Sequence, residues 1–308
     1  MDFTKEYENE KLLKVYGGAN GGKTGVRING KNYMLKFAPA NKFLEDASYT
    51  NSCIVEDIGC KILKTFGMDS QNTMLGTVIK NGKKKVCVAC EDFETNGFRL
   101  YEFSKIKNDD IDTSSNGMNT ELEEILNTIE NQRFLPPEQV TRYFWNLFVA
   151  DALLGNFDRH NGNWGFLLND DLGIAKLSPV YDCGSCLYAG ANEEKMLEVL
   201  NSRQEIDNRI YVVPRSAIKL KSKKVDYYKF LTTTDNLDCL EAIEAITSKI
   251  DLTKINEIIE QTPLISDTAK IFYKTMLKHR YEKILLPAFE RVKEHSDFKK
   301  EKQKNKNI

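Results

Sequence analysis

Residues 155–168 read GNFDRHNGNWGFLL. Asp158, Arg159, His160, Asn161 and Asn163 crowd one short loop between the apolar run PPEQVTRYFWNLFVADALLGN and an apolar strand. A surface turn needs one or two such residues, so a loop with this many polar groups on an apolar support is built to present chemistry. Asp158 and Asn163 stand in the spacing D-x-x-x-x-N. That spacing lets the chain turn until both side chains face one point. In phosphoryl transfer the Asp orients the acceptor hydroxyl and the Asn holds a metal ion. Alone the spacing is a weak signal. Here GFLLNDDLGIAKLSPVYDCG follows, a hairpin with a polar turn at 169–173 and then Asp182 in the place of a second metal ligand. Asp and Asn oxygens suit Mg²⁺.

Upstream, the other parts of such a site occur in a workable order. VRINGKNYMLKF sets Asn29-Gly30 between apolar runs, a hairpin signal, and TMLGTVIKNGKKKVCVACEDF repeats it at Asn81-Gly82. Between them SYTNSCIVEDIGCKILKTFG has helical apolar spacing, with Gly67 as its C-terminal stop. The first 95 residues therefore read as mostly β with one helix. Alternation puts Tyr33, Leu35 and Phe37 on one strand face and Met34 and Lys36 on the other. A lysine in so apolar a strand wants an anionic partner, and Glu56 on the helix can supply it. The bland alternative is an edge lysine and a solvated glutamate.

GGANGGKT at 17–24 matches G-x-x-x-x-G-K-[ST] letter for letter. In a P-loop that pattern opens a helix; here a hairpin comes next. The reading is a glycine-rich turn between strands, with Gly17, Gly18, Gly21, Gly22 and Lys23 covering phosphates, or else a plain flexible turn. Residues 105–118 read as a polar loop carrying Thr113, Ser114 and Ser115. From about 120 the chain turns helical. It is helical again over 240–295, with Pro263 and Pro287 as breakers, and the basic tail 296–308 is expected to be frayed.

Composition sets limits. A chain of 308 residues, 41% hydrophobic and 29% charged, suits one large globular domain or two lobes. A net charge of −1 makes no electrostatic case for nucleic acid or an anionic membrane. No apolar run approaches the roughly 18 residues that span a bilayer. The charged N-terminus does not read as a secretory signal peptide. Seven cysteines, an odd number, favour a reducing, cytoplasmic setting over a disulfide framework, with export by a signal-free route left open. Cys87-x-x-Cys90 with Cys183-x-x-Cys186 spells a zinc pattern. However, i and i+3 on a strand point to opposite faces, and the gap is long for a zinc ribbon, so buried thiols are expected.

With these residues in view, GNFDRHNGNWGFLL followed by LSPVYDCG resembles the N-x-D-x-H-x-x-N and Y-D segments of the HipA-like serine/threonine kinases, over roughly residues 12–290. The resemblance implies an α+β, two-lobed, kinase-like fold. Residues 1–95 would form a β-rich N-lobe and 96–295 a mainly helical C-lobe. It implies Asp158 as catalytic aspartate, Asn163 and Asp182 as Mg²⁺ ligands, and Lys36, held by Glu56, on the ATP phosphates. Glu91, Asp92 and Phe93 would form the hinge beside adenine. His160 follows the Asp instead of preceding it, and joins the nucleotide-site set as a structural hydrogen-bonding residue rather than a general base. The activity implied is transfer from ATP, with Mg²⁺, to Ser or Thr of a protein substrate; the hydroxyls at 113–115 and the threonine in the glycine loop add the expectation that the enzyme also phosphorylates itself. The chain lacks the extra N-terminal region of the toxin members, which argues against an antitoxin or operator-DNA partner. A small-molecule hydroxyl kinase and a nucleotide-binding pseudokinase are the alternatives.

Overall fold

A computed structural model describes residues 1–14, 16, 22–38, 51–110 and 116–294. A short helix α1 (Thr4–Asn9) precedes the first hairpin, β1 (Lys23–Ile28) and β2 (Lys31–Phe37). Helix α2 (Ser52–Thr65) follows, then the second hairpin, β3 (Thr73–Lys80) and β4 (Lys83–Glu91). At both hairpin tips the Asn-Gly pair takes left-handed backbone angles, the geometry of a turn that matches strand twist. The four strands form one antiparallel sheet in the order β1-β2-β4-β3, with Lys23 opposite Lys36.

The sheet has two different faces. Tyr33, Leu35 and Phe37 pack with Phe3, Val26 and Val78 in a small core under α1. Met34 faces the main core, which α2 fills with Val55, Ile58, Ile62 and Leu63, all fully buried. Met68 N–H reaches Leu63 O and Gly67 N–H reaches Lys64 O, with Gly67 at φ +84°, so a Schellman motif ends α2 where the sequence stops it.

Strand β5 (Arg99–Glu102) leads into the helical part: α3 (Phe103–Asp110), α4 (Leu122–Asn131) and α5 (Pro137–Leu154). β6 (Gly165–Asn169) and β7 (Ile174–Leu177) then complete a second antiparallel sheet, β5-β6-β7. α6 (Glu193–Leu200), α7 (Arg203–Tyr211), the small hairpin β8 (Lys219–Leu220) with β9 (Lys223–Lys224), α8 (Tyr227–Thr233), α9 (Leu237–Thr247), α10 (Leu252–Gln261) and α11 (Asp267–Arg280) follow. α5 starts on Pro137, stops on left-handed Gly155, and is buried throughout Leu147–Leu154, Asp151 included. It is the rigid support on which the polar loop rests. Among the described residues no helix is long and apolar enough to cross a membrane.

Three expectations need correction. The N-terminal region holds α1 as a second helix. The expected loop 105–118 is helical as far as Asp110, because Phe103 and Ile106 are buried and Lys107, fully buried, pairs with Glu124 of α4. Pro287 does not break the last helix. The backbone shifts to π-register over Tyr281–Leu285, with Leu286 N–H bonded to Tyr281 O, and the helix runs on through 286–294. The shift absorbs a residue that has no N–H to give. Gly17, Gly18, Gly21, the hydroxyls at 113–115 and the tail 296–308 lie outside the described residues.

Candidate active site

Because β2 alternates, Lys36 leaves the sheet on the α2 side. Its Nζ lies 2.9 Å from Glu56 Oε2 and 2.9 Å from Asp182 Oδ1. Burial alone would discharge this lysine, but the two carboxylates more than reverse that and hold its pKa well above the ordinary value. Glu56 is 1% exposed; burial pushes its carboxyl up and Lys36 only partly restores it. Glu56 Oε1 is buried with no hydrogen-bond partner among the described residues. Asp182 has a left-handed backbone, φ +57°. Burial raises its carboxyl, yet Lys36's charge and hydrogen bond bring it below the usual range. Gly184 keeps this segment tight against α2, since a Cβ there would lie 3.0 Å from Glu56 Oε2.

Lys23 faces Lys36 in register, so their side chains share one sheet face. Burial and the charge of Lys36 lower its pKa, while Asp182 and Glu56 oppose. Two ammoniums on one sheet face, beside the carboxylates of Glu56 and Asp182, set cations where phosphates and a metal ion can share the charge.

The loop after α5 hangs on one arginine. Arg159 Nε donates to Asp151 Oδ2 at 3.0 Å, and Nη1 donates to Asn163 O at 3.0 Å and to Tyr181 O. Nη2 donates to Cys183 Sγ at 3.6 Å. A single guanidinium thus ties helix α5, the loop and the Asp182 segment together. Asn156 completes the brace, donating to Asp151 Oδ1 and accepting Asp158 N–H, both at 3.0 Å. Sequence reasoning leaves Asp151 and Asn156 without an assigned role, beyond reading Asn156 as a residue that shapes the turn. The available signal is a carboxylate inside an otherwise apolar helix, which demands a buried cation nearby.

Asp158 itself is exposed. Its carbonyl accepts from Asn163 Nδ2 at 2.9 Å and from His160 N–H at 2.8 Å. With its nitrogen so engaged, the Asn163 amide has its oxygen left for another partner. His160 Nδ1 accepts Gly162 N–H at 3.1 Å, a bond within the turn. Asn161, fully buried, donates to Gly117 O and Asn119 O. Lys36, Glu56 and Asp182 are thus brought together, and Asp158 and Asn163 share the adjoining loop.

The 91–93 side chains have partners of their own. Glu91 pairs with Lys31 at 2.9 Å, and its carbonyl accepts from Gln71 Nε2. Asp92 takes Lys14 at 2.7 Å and Tyr16 OH at 3.0 Å. Both carboxylates are held by partners other than Lys36. The Phe93 ring lies 5.6 Å from that of Tyr181, next to Asp182. All seven cysteines are buried free thiols. Among the described residues no group of three or more His, Cys, Asp or Glu side chains is disposed to hold a metal ion.

Comparison with known proteins identifies the family. Residues 14–262 match the model of the HipA-like C-terminal domain. A serine/threonine-protein kinase CtkA of Helicobacter pylori is 43% identical over 297 residues, covering 96% of this chain and 90% of that protein. The crystal structure of a Helicobacter pylori proinflammatory kinase CtkA superposes with a TM-score of 0.90 at 43% identity, over 96% of this chain and 98% of that one. HipA of Shewanella oneidensis, solved with HipB and its operator DNA, gives a TM-score of 0.56 at 15% identity, over 93% of this chain and 71% of its own, and shares the fold alone. With its mixed α/β, kinase-like fold and a match spanning most of its length, this chain belongs to the HipA-like C-terminal domain family.

Proposed function

We propose that this chain is an ATP- and Mg²⁺-dependent serine/threonine protein kinase that also phosphorylates itself. The observation that carries the reading is the Lys36 ammonium bridging Glu56 and Asp182 next to a loop with a solvent-facing Asp158. The name of the 43% identical relative supports the same class. In this reading residues 1–95 and 96–295 act as two lobes about the site.

The donor set fits a hard cation. Asp182 has a carboxylate 41% exposed beside Lys36, and Asn163 has an amide oxygen. Mg²⁺ takes one or two such protein oxygens and completes its shell with phosphates and water. When bound, it neutralises charge on the transferring phosphates. Lys36, fixed by Glu56, orients the phosphates, and Lys23 adds a second positive charge. Asp158 accepts the hydrogen bond of the acceptor hydroxyl and aims its oxygen at the γ-phosphorus. As the O–P bond forms and the bond to ADP breaks, the hydroxyl proton passes to Asp158. Arg159 holds Asn163 and Asp182 in register throughout.

The test is transfer from γ-labelled ATP with Mg²⁺ to a general protein substrate and to the enzyme, beside Asp158→Asn and Asp182→Asn. Label on protein Ser or Thr, lost in both variants, is expected. ATP binding without label on any protein would turn the assignment to a small-molecule kinase or a pseudokinase.

A further inference from the structure

The small hairpin β8–β9 is rich in lysine. Lys219 and Lys224 are paired across it, Lys221 and Ser222 form its left-handed tip, and Lys223 faces Leu220. Lys221, Lys223 and Lys224 are exposed, as is Arg215 just before the hairpin. Some surface lysines are paired, as with Lys195, Lys270, Lys274 and Lys283, while the exposed Lys83, Lys84 and Lys85 at the start of β4 form a second lysine run. None of the five cations of this patch has an ion-pair partner among the described residues. Glu121, the nearby carboxylate, takes the Ser222 N–H at 2.6 Å instead. On a chain of net charge −1, this is a local positive field that no described carboxylate pairs with.

Its position gives that field a use. Lys219 N–H donates to Thr120 O at 2.8 Å, and Thr120 Oγ1 donates to Ala217 O at 2.7 Å. Asn161, in the loop of Asp158, donates to Gly117 O at 2.7 Å and Asn119 O at 2.8 Å. A single stretch, 117–121, therefore lies between the hairpin and the catalytic loop and is bonded to both. Met118 lines the same stretch beside Gly162 and is 42% exposed. The hairpin is thereby fixed, through 117–121, to the loop that carries Asp158.

We infer that the lysine hairpin recognises acidic side chains flanking the acceptor hydroxyl of a protein substrate. The inference rests on the kinase reading and adds a substrate class to it. The chain itself carries segments of that chemistry, among them residues 109–115, DDIDTSS, with three aspartates beside three hydroxyls. Charge complementarity therefore favours an acidic acceptor segment as the occupant.

The probe is a peptide with the sequence of residues 107–118, KNDDIDTSSNGM, and its counterpart with Asn for the three aspartates. Wild type is compared with a variant carrying Lys221→Glu, Lys223→Glu and Lys224→Glu together. Wild type should favour the acidic peptide by about tenfold in kcat/KM at low salt, less as salt is added. The variant should lose that preference while turning over the neutral peptide as wild type does, which rules out misfolding. Equal rates on both peptides, or a preference that survives charge reversal, overturns the inference. So does label on a general protein but on neither peptide, which leaves the kinase reading intact. No label on any protein or peptide defeats the kinase reading, and this inference with it. Hairpin-dependent retention of duplex DNA without a peptide preference overturns it in favour of a nucleic-acid partner.

Discussion

Lys36 and Asp182, 146 positions apart in sequence, meet at 2.9 Å, and the same ammonium holds Glu56 on its other side. One cation thereby closes the sheet, helix α2 and the Asp182 segment onto a common point. Its replacement should therefore be felt in both folding and chemistry.

In Lys36→Ala the buried Glu56 loses its cation and Asp182 is left beside it. Breaking a buried pair of this kind costs about 3–5 kcal/mol, and the partial exposure of Asp182 sets the expected loss near the low end, about 3 kcal/mol. Urea denaturation should show that loss, and ATP turnover should fall steeply in the same protein. Unchanged turnover would remove Lys36 from the site.

The same pair fixes a pH response. Asp182 is depressed in the fold, so its contribution is present above the unfolded value near 3.9 and is lost as pH falls through the folded value. In Lys36→Met, burial and the like charge of Glu56 act on that carboxyl with only the smaller effects of Arg159 and Lys23 opposing them. Its pKa should rise, and acid destabilisation should begin at a higher pH than in wild type. Melting temperatures measured from pH 7 down to pH 3 decide it; parallel curves would contradict the linkage.

The parts of this site that obey local rules are legible in the amino-acid order alone. Strand alternation puts Lys36 on the α2 side, and the Asn-Gly tips and Gly67 delimit the hairpins and α2. What escapes is fixed by partners far along the chain. α3 looks like a polar loop because the reason for its helicity, Lys107 buried against Glu124, is a tertiary contact. Arg159 looks like one more loop cation until Asp151, Asn163 and Tyr181 are seen converging on it. The hinge assignment rests on resemblance, and no local pattern tells that the Asp92 carboxylate is taken by Lys14 and Tyr16.

Arg159→Lys tests the brace. A lysine keeps the charge but cannot reach Asp151, Asn163 O and Tyr181 O at once. Asn163 and Asp182 should lose their mutual register. Groups that orient metal-binding residues typically matter by about ten- to hundredfold in metal affinity or activity. The Mg²⁺ concentration for half-maximal turnover should rise accordingly, with the fold retained by circular dichroism. An unchanged Mg²⁺ dependence would limit Arg159 to a structural part.

Asp158→Asn separates chemistry from everything else. The Asp158 side chain is exposed, and what the loop uses is its backbone carbonyl, bonded to Asn163 and His160. Asparagine keeps that carbonyl, so stability should stay within about 0.5 kcal/mol of wild type. Lys36, Glu56 and Asp182 are untouched, so ATP affinity by calorimetry should also hold. Only the carboxylate that receives the hydroxyl proton is gone, and turnover should fall about a hundred- to ten-thousandfold. A variant that still turns over would mean that another group accepts the proton. A variant that instead loses ATP binding would place Asp158 among the groups that hold the nucleotide, and the division of labour between it and Lys36 would have to be redrawn.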